Sequence, residues 1–161
     1  MDATPQEKLA LDELRRSYDV ISRSSDTLDQ KAGTLLSSAG LVTGLFTALQ
    51  IALIGPDQSL LYKVGLLAIL LLFLVLIALC TSIFWTKSYK IPLKADWPTI
   101  YTNVLSPPPG ESTQKMIASY ITWTSYNRRL NAAKAFRFRV ASVLLFLIVA
   151  SLVLISVVPT N

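Results

Sequence analysis

Three runs of the chain, Ala32–Ile54, Val64–Phe84 and Val140–Val158, contain no acidic or basic side chain. At about 1.5 Å of rise per residue, each is long enough as a helix to cross roughly 30 Å of hydrocarbon. A water-soluble domain of 161 residues has no interior large enough to hide all three. Hydrocarbon offers the backbone no hydrogen-bond partner, so segments of this length satisfy their own N–H and C=O groups as helices. The expected fold class is therefore an all-α membrane protein with three transmembrane helices.

The polar remainder extends two of these helices. Thr4-Pro5-Gln6-Glu7 has the pattern of a capping box with proline at the first helical position. From there, apolar or small residues recur in steps of three and four at Leu11, Leu14, Tyr18, Ile21, Ser25, Leu28, Ala32, Leu35, Ala39, Val42, Phe46 and Leu49. That is one seam of one helix about fifty residues long, entering the membrane without changing face. Gly55-Pro56-Asp57-Gln58 is a turn signal that makes the first two spans an antiparallel hairpin. After Trp85, the rings of Trp85, Tyr89 and Trp97 suit the headgroup layer, and Ser106-Pro107-Pro108-Pro109-Gly110 forms a stiff elbow. Gly110 or Ser112 then caps a second long helix, with a seam at Met116, Tyr120, Trp123, Asn127 and Leu130, which runs into the third span. The chain thus reads as a single membrane domain, 1–161. Within it a cytoplasmic helix (1–31) continues into span 32–54. An outer turn (55–63), a span (64–84), a cytoplasmic loop and helix (86–139) and a last span (140–158) follow.

Basic residues set the orientation. Residues 1–31 carry five basic and seven acidic side chains, and residues 86–139 carry nine basic against Asp96 and Glu111. Only Lys63 lies between the first two spans, and no basic residue follows the third. The positive-inside rule places the N-terminus and the long loop in the cytoplasm and the C-terminus outside, in a multi-pass plasma-membrane protein. Lys87, Lys90, Lys94, Arg137 and Arg139 are the candidate contacts to anionic lipid headgroups. Nucleic acid is not expected as a partner, because no recognised module accompanies the basic loop.

The chain has no histidine, which removes histidine-based metal and haem ligation as well as serine–histidine and cysteine–histidine catalysis. No phosphate-binding glycine loop or paired-cysteine motif occurs, and Cys80 is a small apolar filler inside the second span. No catalytic residue, cofactor or metal site is expected, and the chain is read as a non-enzyme. The spans lack the internal charges of proton relays and voltage sensors. Gln50 is their deepest strong polar group, either lining a pore or making a polar contact.

Span one differs from the others. It has ten Leu, Ile, Val or Phe residues in twenty-three positions, whereas span two has fifteen in twenty-one and span three fourteen in nineteen. Gly40, Gly44 and Ala48 lie four apart on one face, with Gly33 and Ser37 on an adjoining stripe. This small-residue pattern lets helix backbones approach each other closely. The face packs either on spans two and three of the same chain or on other chains. Asp29 and Lys31 fall at the membrane boundary, where a charge pair with Lys134 or Arg137 would fix the depth and rotation of span one; alternatively, Lys31 simply snorkels to phosphate.

The stretch Asp29-Gln30-Lys31-Ala32-Gly33-Thr34-Leu35-Leu36 resembles the Asp-x-Lys-Ala-x-x-Leu-Leu signature of the Pycsar-type transmembrane effector family of antiphage membrane effectors. Asn127–Leu145 is similar to that family's last segment, in which a basic helix with a lysine, here Lys134, leads into the final span. The resemblance covers most of the chain in layout and about ten residues in detail. It implies an oligomerising inner-membrane effector of bacterial antiviral defence that disrupts the membrane or forms a pore once triggered. The helical cytoplasmic segments offer no nucleotide cradle, so the sensor would be a separate nucleotide-sensing partner or the helices themselves. The residues alone equally describe a small accessory or scaffolding subunit of a larger membrane complex.

Overall fold

The computed structural model describes residues 3–53, 60–85 and 97–157, with the side chains at 49–53, 61, 97 and 157 set aside. Among these residues the chain is all-helical. It comprises α1 (Pro5–Leu53), α2 (Leu60–Phe84), α3 (Trp97–Ile100) running on into a π-helical turn (Tyr101–Leu105), and α4 (Pro109–Val157). Two of these helices, α2 and α4, are long and apolar enough to cross a membrane. Most of the expected outer turn, the lysines at 87, 90 and 94, and the last four residues lie outside the described residues.

Two compact units divide the chain: Met1–Thr27 with Lys87–Ala133, and Leu28–Thr86 with Lys134–Asn161. In the first, the expected capping box starts α1. The Thr4 N–H donates to Glu7 Oε2 at 2.8 Å, and the Glu7 N–H donates to Thr4 Oγ1 at 3.3 Å. The start of α4 differs from expectation. The helix opens at Pro109, whose missing N–H would have had no helical acceptor in any case. Ser112 does not cap it. Its hydroxyl instead donates to Val104 O at 3.0 Å and approaches the Pro107 and Pro108 carbonyls, joining the π-helical turn to the first turn of α4.

Contacts between α1 and α4 in this unit advance along both helices together, so the two run parallel. Gln114 donates to Glu7 at 3.0 Å, Tyr18 meets Tyr120 edge-on at 5.9 Å, and Asn131 Nδ2 donates to Ile21 O at 2.7 Å. The seam is more polar than the sequence pattern indicates. Its buried residues are Ile21, Ser25, Thr124, Asn127 and Asn131. Trp123 and Leu130, expected in the seam, are only half-buried, and their neighbours Thr124 and Asn131 take the interior positions.

The second unit packs parts of three helices. Its core is Ala39 from α1, Ile69, Leu76 and Cys80 from α2, and Ala141, Ile148 and Leu152 from α4. Buried positions recur every seven residues: Ala32 and Ala39; Tyr62, Ile69, Leu76 and Ile83; Lys134, Ala141 and Ile148. A strict seven-residue repeat keeps each stripe facing its partners only if the helices coil around one another with a left-handed twist. A Cβ added at Gly33 would lie 3.8 Å from Phe84 Cζ and one at Gly65 would meet Ile155, while Arg137 reaches Ser82, so α2 runs antiparallel to both neighbours.

Candidate functional site

Lys134 occupies one of those seven-residue positions, so the helical phase that buries Ala141 and Ile148 also carries an ammonium group inward. Asp29, one turn before the buried Ala32, meets it. Lys134 Nζ donates to both Asp29 oxygens, at 2.8 and 2.9 Å. The lysine side chain is 6% exposed and the carboxylate 34%. Burying an ammonium is costly without a partner, and a two-oxygen contact of this length offsets much of that cost. Among the described ion pairs this one alone joins two helices. Asp12–Arg15 and Glu111–Lys115 are exposed pairs within single helices, of the kind that contributes little. Lys31 points outward.

Arg137 is engaged as well, although the sequence assigns it to lipid headgroups. Its Nη1 donates to Ser82 O at 2.9 Å. Ser82 lies in the last turn of α2, where carbonyls have no helical donor and the helix dipole leaves partial negative charge. Sequence pattern does not signal this contact, because it depends on where α2 ends relative to α4.

The small-residue face of α1 is divided. Gly33 is half-buried beside Phe84. A methyl group added at Gly40 or Gly44 would meet nothing within 4 Å, and Ser37, Ala48, Leu41 and Leu45 beside them are exposed. Of the two alternatives for this face, the described residues of the chain cover only its Gly33 end. The Gln50 side chain lies outside the described residues. Gly65, which the sequence reading did not single out, makes the tight approach between α2 and α4: a Cβ there would fall 2.8 Å from Ile155 Cδ1. The one available signal was its position as the sole glycine of a leucine-rich span.

Chemically the unit offers an interhelical ion pair, a guanidinium at a helix end and an uncovered face. No group of three or more metal-binding side chains occurs among the described residues. Comparison of the chain with protein-family models, with curated proteins and with solved structures gives no match.

Proposed function

We propose that this chain is a three-span plasma-membrane protein, N-terminus inside, that assembles with copies of itself and impairs the membrane on assembly. The observation that carries this reading is the open Gly40–Gly44 face. Glycines lower helix stability by about 1 kcal/mol each relative to alanine, a cost that close contact between helices would offset and that contact with lipid does not. α1 inserts with less margin than the other spans, so protein contact on its open face also favours its insertion. The Asp29–Lys134 pair supports the same account, because it fixes the rotation of α1 and with it the direction in which Gly40 and Gly44 point. The resemblance around Asp29–Leu36 supplies the effector class, antiviral defence by loss of membrane integrity.

The test is dye release from vesicles carrying the purified protein, with the wild type compared to Gly44→Leu. Leakage in the wild type that is lost in the variant, whose own fold has room for the leucine, would support the reading. Intact vesicles at every protein density would sink it. Recovery with unlike chains at a fixed ratio would instead mark an accessory subunit of a larger complex.

A further inference from the structure

Along α4, Arg139, Val140, Val143, Leu144 and Leu147 line a groove of about 300 Å³. The steps of one and three residues put all five on one stripe. From Arg139 to Leu147, eight steps, that stripe runs roughly 12 Å along the helix. Its lining is apolar throughout, the exposed Arg139 contributing its alkyl stem at one end and carrying its guanidinium beyond the groove. The neighbouring cations on α4 are engaged, Lys134 with Asp29 and Arg137 with Ser82, whereas Arg139 has no ion pair or hydrogen bond among the described residues. A planar guanidinium presents several N–H donors in the geometry that a phosphate accepts.

We infer that this groove binds one anionic glycerophospholipid, with its phosphate on Arg139 and an acyl chain along Val140, Val143, Leu144 and Leu147. The inference rests on the membrane reading above and deepens it. The occupant follows from the charge complement at one end of the groove and the apolar stripe that begins at the next residue. A single cation at the head of an apolar track matches a lipid with one headgroup charge, and it does not match a soluble anion, which would leave the track unused.

The experiment is native mass spectrometry of the full chain released from bilayers containing equal phosphatidylglycerol and phosphatidylcholine, alongside vesicle flotation. The wild type should retain one phosphatidylglycerol in preference to phosphatidylcholine by about fivefold, the factor one basic residue supplies at an anionic surface. Arg139→Gln should remove the preference, Arg139→Lys should keep most of it, and Val143→Trp, which fills the groove, should lower retention of both lipids. Undiminished preference in Arg139→Gln, equal retention of both lipids by the wild type, or displacement of the lipid by inorganic phosphate would overturn the site. Failure to float with either vesicle would overturn the membrane reading itself, so the two failures are distinguishable.

Discussion

The Asp29–Lys134 pair makes an unequal prediction for its two halves. At 2.8 Å and an effective dielectric near 20, the Coulomb attraction is about 6 kcal/mol, most of it offset by taking the ammonium out of water. Asp29→Ala leaves that ammonium almost fully buried without its carboxylate. The change should cost about 3 kcal/mol, the low end of the range for breaking a buried pair, because the removed partner was itself a third exposed. Lys134→Met keeps most of the side-chain volume and leaves a carboxylate that water can still reach, for about 1 kcal/mol. The double variant should cost no more than Lys134→Met alone, a coupling of at least about 3 kcal/mol. At roughly 2–4 °C per kcal/mol for a chain of this size, Asp29→Ala should lower Tm by about 6–12 °C and Lys134→Met by about 2–4 °C. Thermal unfolding in detergent, followed by tryptophan fluorescence, measures all three. Equal losses in the two single variants, or additive losses in the double, would refute the reasoning.

Gly65→Ala puts a methyl 2.8 Å from Ile155 Cδ1, the free end of a side chain that can swing aside, so the gain in helix propensity should offset the repacking and leave the stability, read from Tm, within about 1 kcal/mol of the wild type; a loss of more than that would show that Ile155 is locked in place. Asn131→Ala should cost about 1 kcal/mol through its bond to Ile21 O, and hydrogen exchange should quicken in α1 around Ile21. Glu7 is held below the usual carboxylate range, first by the Gln114 side chain and then by Thr4. Because its pKa is lowered in the folded chain, the contact contributes above the ordinary carboxylate pKa and is lost as pH falls through the lowered value. Carboxyl NMR titration should show this, with Gln114→Ala moving Glu7 back toward its ordinary value.

The long course of α1 was legible because its seam keeps one phase from Leu11 to Phe46, and burial follows that phase at Ile21, Ser25, Ala32 and Ala39. The capping box was legible because it is wholly local. The partner of Asp29 could be named in advance as Lys134 or Arg137, since both lie about one turn before an apolar span. Choosing between them required the helical phase of α4, which buries Lys134 and sends Arg137 to the end of α2. In the first unit, apolar periodicity points to Trp123 and Leu130 and not to Thr124 and Asn131. A polar residue enters a seam when a carbonyl on the facing helix can receive it, as Ile21 O receives Asn131. Thr124 is an exception: its buried hydroxyl has no partner among the described residues. The direction of the Gly40–Gly44 face was not legible at all. Small residues permit close packing, but which neighbour approaches is decided by the other helices, and here α2 reaches only Gly33.

On the proposed reading, Gly40 and Gly44 face another copy of this chain. Native mass spectrometry of the nanodisc-embedded protein, wild type beside Gly44→Leu, tests it most directly. The account predicts a closed set of identical chains for the wild type and single chains for the variant, with the helical content of both unchanged. A wild type that remains a single chain at all loadings, or a variant that assembles as the wild type does, would contradict it.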